Sequence, residues 1–182
     1  PVLFLGACIG SFLNVVIYRL PRQVSFIAKR SRCLSCGKKL QFFDLIPILS
    51  WISLKGKCRY CRNKISFRYP LVEFLTSLLF LLIFKFSYFN IDSLQNILVL
   101  ISGWILISYL IILTLIDFDH MILPNNITFS GSIVGLVMIT INDLIVDNNG
   151  INNFSEHLKA YSFGLIGIYL FSLIMMWIFK KP

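Results

Sequence analysis

Long uncharged runs alternate with short polar stretches along the chain. Residues 93–116 contain no charged side chain, and neither does "AYSFGLIGIYLFSLIMMWIF", residues 160–179. "VLFLGACIGSFLNVVIYRL", residues 2–20, is apolar until Arg19. A helix needs about 20 apolar residues to cross the hydrocarbon core. The pattern predicts five membrane segments, at 2–20, 70–88, 95–116, 125–141 and 159–179. Residues 21–69 are too many and too polar to lie in lipid. Pro70 suits a first helical turn, where its missing N–H costs nothing. Pro124 and the asparagines after it punctuate the turn before the fourth segment. Gly6-x-x-x-Gly10 and Gly131-x-x-x-Gly135 permit close helix packing in lipid, but such pairs are common and carry no functional weight here. No internal repeat is visible.

Composition agrees with this division. Of the 182 residues, 57% are hydrophobic and 14% charged, and the mean hydropathy is +0.81. A soluble domain of this size has no use for so much apolar surface, so the predicted class is an all-α polytopic membrane protein. The net charge of +9 is unevenly placed: Arg19 and residues 20–69 hold 13 of the 17 lysines and arginines, with Asp44 as the one acid in that segment. Nucleic-acid binding would explain a basic block. A cytoplasmic loop obeying the positive-inside rule explains it better. That choice orients the rest. Asp117 emerges at the cytoplasmic face, the Asn-rich acidic stretch 142–157 lies outside, and Lys180 and Lys181 return inside. The first segment lacks a basic leader region and a small-residue cleavage site, so it is not read as a removable signal peptide. The expected organisation is a first transmembrane helix (1–20), a cytoplasmic tetracysteine domain (21–69) and a membrane domain (70–182).

That loop holds Cys33-x2-Cys36, then 21 residues, then Cys58-x2-Cys61. Two such knuckles resemble a zinc ribbon, in which each short turn presents two thiolates to one tetrahedral ion. Gly37 eases the first turn, and nearby Lys and Arg residues favour thiolates. A loop this short has little core of its own, so a structural metal would staple it. Disulfides suit a reducing compartment poorly, and a thioredoxin-like pair would need a βαβ setting. Four thiolates leave no open position for a catalytic zinc. Cys8, in the first segment, is read as a packing residue.

"LTLIDFDHMILPN", residues 113–125, places Asp117 and Asp119 directly after the uncharged run. Carboxylates at the edge of a span are costly unless they are solvated or used. They could simply end one helix and begin the next, or they could do chemistry. His120 has no second His or Cys near it in sequence and reads as an interfacial polar residue. Glu73 falls in a first helical turn, where the dipole favours it, with Arg68 near enough in sequence to pair with it. Asn14 needs a hydrogen-bond partner on another helix.

Taken together, "GSFLNVVIYRLP" (10–21), the tetracysteine loop, "PILSWISLKGKCRYC" (47–61), "ISFRYPLVE" (65–73) and "LTLIDFDHMILPN" resemble the bacterial prepilin peptidases. These are the leader peptidases and N-methyltransferases of type IV pilus and type II secretion systems. The resemblance implies a Gly-x-Gly-Asp-type aspartic endopeptidase in the inner membrane, cutting prepilins or pseudopilins at the cytoplasmic face. It would then methylate the new N-terminus with S-adenosylmethionine. It places one catalytic aspartate at Asp117, with Asp119 as a weaker candidate, and a structural zinc on Cys33, Cys36, Cys58 and Cys61. The second catalytic aspartate belongs to a Gly-x-Gly-Asp tetrapeptide that these residues do not contain. The chain is therefore expected to be a fragment cut before that aspartate and inactive by itself. Asp117 and Asp119 are not expected to form the dyad, because residues two apart on a helix face different ways. A membrane scaffold that binds prepilin without cutting it, and a thiol oxidoreductase using the Cys-x-x-Cys pairs, are the alternatives. No glycine-rich nucleotide motif marks a methyl-donor site.

Overall fold

The computed structural model describes residues 1–25, 30–87, 94–122 and 124–146, with Lys159 and Ser162. Five α-helices follow in chain order: α1 (Val2–Arg19), α2 (Leu49–Ser53), α3 (Arg68–Ser87), α4 (Leu94–His120) and α5 (Asn125–Val146). A short 3-10 turn, Phe42–Leu45, precedes α2. Outside the helices the described residues contain two isolated antiparallel bridges, Arg32 with Lys39 and Lys57 with Lys64. Among the described residues three helices are long and apolar enough to cross a membrane: Val2–Arg19, Arg68–Ser87 and Asn96–His120. The expected fourth segment corresponds to α5, and the fifth, 159–179, lies almost wholly outside the described residues. The chain divides into two compact units, Pro1–Ser132 and Ile133–Pro182; the packing that follows is that of the first.

α1 and α3 are in close backbone contact. A Cβ on Gly6 would lie 2.6 Å from the Ser77 Cα, and one on Gly10 would lie 2.8 Å from the Glu73 Cα. Four residues forward on α1 match four residues back on α3, so the helices are antiparallel with one small-residue stripe between them. The Gly6 and Gly10 pair thus lies where α1 meets the backbone of α3. Thr76, fully buried, faces the same stripe and returns its hydroxyl to the Val72 carbonyl, 2.7 Å away. Asn14 finds the cross-helix partner it needs in the Tyr69 carbonyl, 3.1 Å from its Nδ2.

α4 packs against this pair. Trp104 stacks on Phe80, ring centroids 5.1 Å apart, and donates its indole N–H to the Phe80 carbonyl at 3.0 Å. The core at the other end of the bundle joins Leu13, Val16, Val72, Ile112, Ile116 and Ile127 from four helices. α5 meets α4 where Gly131 lies under the Tyr109 ring. The large apolar side chains left outside, such as Phe4, Phe74 and Leu106, suit a lipid solvent, which favours them as water would not.

Candidate functional site

The two cysteine knuckles have one geometry. The Cys33 N–H donates to the Lys38 carbonyl (3.0 Å) and the Gly37 N–H to the Cys33 carbonyl (2.9 Å). The Cys58 N–H donates to Asn63 (2.9 Å) and the Arg62 N–H to Cys58 (3.0 Å). Each bridge joins the residue before the first cysteine to the residue six positions after that cysteine. Position four after that first cysteine has positive φ in both, 68° at Gly37 and 58° at Arg62. "CLSCGKK" and "CRYCRNK" are therefore a structural repeat, which the sequence hides because only the cysteines and one lysine coincide.

The knuckles bring all four Sγ atoms within 4.8 Å of one another, a group that could hold a metal ion. Cys33 Sγ and Cys61 Sγ lie 3.8 Å apart, and none of the five cysteines is in a disulfide. Protonation is uneven. The Cys36 backbone N–H, aided by Ser35 and the thiols of Cys58 and Cys36, lowers Cys33 to about 6 despite some desolvation. At Cys61 the Asn63 N–H favours the thiolate, but desolvation and the thiols of Cys58, Cys36 and Cys33 outweigh it and push the group up to about 11. Sulfurs crowded this way cannot all ionise without a cation between them.

The loop is fastened to the bundle by a carboxylate. Glu73 is buried in α3, and its Oε2 accepts the Ile48 N–H at 2.7 Å. Ile48 has φ 61° and ψ −52°, and the Leu49 N–H reaches back to the Pro47 carbonyl. This is the rare positive-φ γ-turn, which a β-branched residue adopts only under constraint. Further along, Trp51 donates to the Ile65 carbonyl at 3.1 Å, and Gly56 lies against its ring. The expected Arg68–Glu73 pair does not form. Arg68 instead binds Asp119, with Nη1 2.6 Å from Oδ2, and its Nη2 approaches the Leu115 carbonyl at 3.5 Å. About one and a half turns separate Arg68 from Glu73, and the arginine follows the charge that α4 offers at the helix end.

Asp117 sits at that same end. Hydropathy stops at position 116, but the helix runs on through His120 and closes when the Met121 N–H meets the Asp117 carbonyl (2.8 Å). Ile116 is fully buried in the core, which fixes the rotation of α4 and turns the next residue outward. The Asp117 carboxylate is exposed and has no hydrogen bond or ion pair among the described residues. Asp119 lies about 200° round the continuous helix from it. The two do not face one another, and Asp119 is occupied by Arg68. The Arg68–Asp119 and Glu73–Ile48 links put the tetracysteine loop and Asp117 at one end of the bundle. An apolar groove of 680 Å³, lined by residues including Leu13, Val16, Ile105, Ile112 and Ile127, reaches this end at Leu20 and Asn126. His120 is exposed, and Cys8 is partly buried within α1.

Fold and site together define a polytopic helical membrane protein with a four-cysteine group that could hold a metal ion and a solvent-facing aspartate at one bundle end. Residues 4–87 match the family described as Bacterial Peptidase A24 N-terminal domain, and residues 104–181 match the Type IV leader peptidase family. The chain belongs to the type IV leader peptidase family. A prepilin leader peptidase/N-methyltransferase of Myxococcus xanthus is 43% identical over 134 residues, covering 74% of this chain and 38% of that protein. One from Vibrio cholerae is 34% identical over 162 residues, covering 84% and 61%. A type 4 prepilin-like proteins leader peptide-processing enzyme of Escherichia coli is 39% identical over 155 residues, covering 72% and 53%. The chain thus spans 38% to 61% of the length of these three relatives. No solved structure matches it.

Proposed function

We propose that the protein is a membrane aspartic endopeptidase that removes the leader of type IV prepilins or pseudopilins at the cytoplasmic face. The observation that carries this reading is Asp117: an exposed carboxylate without a partner among the described residues, held outward by the buried Ile116 at the end of a span. Aspartic proteolysis needs two carboxylates sharing a proton, one acting on water as base and the other protonating the leaving amine. Asp117 is assigned as one of them. Asp119 is not the other, because it points elsewhere and pairs with Arg68. By resemblance the partner belongs to a Gly-x-Gly-Asp segment. The apolar groove ending at Leu20 and Asn126 would seat a hydrophobic substrate helix with its end near Asp117.

Cys33, Cys36, Cys58 and Cys61 are assigned as ligands of a structural zinc. At a Zn–S distance of about 2.3 Å a tetrahedral site has S···S edges of about 3.8 Å, the separation found between Cys33 and Cys61. Bound there, the ion would staple the two knuckles and leave no position open to substrate. Convergence of four sulfurs on one point supports this over a redox pair, which needs two. The basic charge of the loop supports assigning this end to the cytoplasm by the positive-inside rule.

Methylation of the new N-terminus with S-adenosylmethionine is drawn from the relatives' names. Among the described residues no glycine-rich strand–helix turn cradles such a cofactor, and no residue here is assigned to it.

The test is to express the full-length protein in bacteria lacking their own prepilin peptidase and to measure the pilin N-terminus by mass spectrometry. A shortened pilin supports the proposal. Prepilin that co-purifies with the protein but keeps its leader would replace the peptidase with a scaffold.

A further inference from the structure

The loop that carries the cysteines also carries an apolar surface that zinc binding and proteolysis leave unexplained. Phe42 is 79% exposed, Phe43 68%, Leu49 63%, Ile52 59% and Phe67 61%. In water a polar domain this small would not keep five large apolar groups uncovered. Phe42 and Phe43 touch edge to face, and Leu49 and Ile52 are one turn apart on α2, so they share a face.

Depth decides what covers them. α2 follows directly on Ile48, whose N–H is held by Glu73. Glu73 lies five residues inside the spanning helix Arg68–Ser87, about 7.5 Å along its axis from Arg68. The start of α2 therefore hangs beside the span, level with its second turn. Trp51 is tied to the same place by its bond to Ile65 and by its edge contact with Phe67, centroids 5.6 Å apart. A segment beside the second turn of a spanning helix is at headgroup depth.

Charge points the same way. Residues 20–69 carry twelve lysines and arginines against one acid. That acid, Asp44, is spent inside the loop: its Oδ1 takes Arg59 at 2.7 Å and its Oδ2 the Gln41 N–H at 3.1 Å. The loop thus turns a cationic surface outward around its apolar residues. Aromatic and aliphatic groups set among cations, held level with a membrane surface, match an anionic bilayer interface.

We infer that residues 42–52 and Phe67 form a membrane-seating surface. Its apolar groups enter the boundary between headgroups and acyl chains, while the surrounding cations take anionic lipid headgroups. The tetracysteine domain then lies on the bilayer instead of standing off it. This goes beyond the peptidase reading and does not rest on it.

The experiment places the photo-crosslinker p-benzoylphenylalanine at Phe43 in the full-length protein. The protein is reconstituted in nanodiscs of phosphatidylcholine alone or with about 30% phosphatidylglycerol. The expected product is a phospholipid adduct, about fivefold more abundant with phosphatidylglycerol. Trypsin should cut the wild-type loop about fivefold more slowly in the anionic discs. The variant F42S/F43S/I52S should lose that protection while its four loop thiols stay shielded from alkylation, which shows the knuckles intact. Adducts to the protein's own chain, to a second copy or to prepilin would overturn the inference. So would the absence of any adduct, or equal yields in the two bilayers.

Discussion

Gly10→Ala tests the helix contact on which the site depends. The new methyl would stand 2.8 Å from the Glu73 Cα and 3.0 Å from the Thr76 Oγ1, where ordinary contact begins at 3.4 Å. One obstacle is backbone, so α1 and α3 must part by about 0.6 Å or more at a place with no slack. Overpacking of this kind costs about 1–3 kcal/mol, and alanine returns about 0.8 kcal/mol of helix propensity. The displaced atom belongs to Glu73, so the charge-assisted bond to Ile48 weakens too, with about 1.5 kcal/mol at stake. The net expectation is a loss of about 2 kcal/mol. Gly135→Ala is the control: no described residue lies within 4 Å of its Cβ position, so it should be neutral or stabilising by up to about 1 kcal/mol. Unfolding in mixed micelles, followed by tryptophan fluorescence, measures both. Equal effects of the two substitutions, or a Gly10→Ala protein within about 0.5 kcal/mol of wild type, would refute the packing argument.

Three further outcomes are expected. Purified protein should hold one zinc that shields four thiols, and a strong chelator should open all four to alkylation. Arg62→Gly should stabilise the second knuckle by about 1 kcal/mol, because the left-handed φ penalises a side chain there, whereas Gly37→Val should cost at least as much; thermal release of zinc reads both. In chelator-stripped protein at neutral pH, Cys33 should alkylate first and Cys61 last, as their thiols are shifted to about 6 and about 11 from 9.0. The Cys33 pKa is depressed, so its contribution to stability is fully present above 9.0 and is lost as pH falls through about 6. Cys61 works in the opposite sense, opposing the fold as pH rises above 9.0 towards about 11. Alkylation mapped by mass spectrometry would count against this if Cys61 reacted before Cys33.

The spans are legible in the sequence because lipid imposes a long, simple signal. The predicted 2–20 and 70–88 agree with α1 and α3 to within two residues, and the metal-ligand spacing is equally plain. What stays hidden depends on rotation and on long-range pairing. Gly6-x-x-x-Gly10 and Gly131-x-x-x-Gly135 read alike, yet the first faces a helix backbone and Gly135 has no described residue within 4 Å of its Cβ position. Arg68 has Glu73 five residues away in sequence and Asp119 fifty-one away, and only the antiparallel packing of α3 and α4 makes the distant acid the neighbour. α4 runs four residues past the predicted segment end at 116, because hydropathy reads charge, whereas helix continuation depends on backbone bonds and a counter-ion. The γ-turn at Ile48 had no signal at all: Pro47 marks a bend, but nothing local announces that a buried glutamate will hold it.

The central claim is that Asp117 serves in the peptidase chemistry while Asp119 holds the end of α4 through Arg68. Leader removal from a purified prepilin by the full-length protein, compared for Asp117→Asn and Asp119→Asn, tests it most directly. Asp117→Asn should fall to background, a loss of about a thousandfold or more, with the zinc still bound. Asp119→Asn should keep cutting within about tenfold of wild type, since a partly exposed ion pair contributes about 1 kcal/mol or less. Cleavage by Asp117→Asn near the wild-type rate, or its loss only when Asp119 is replaced, would contradict the account.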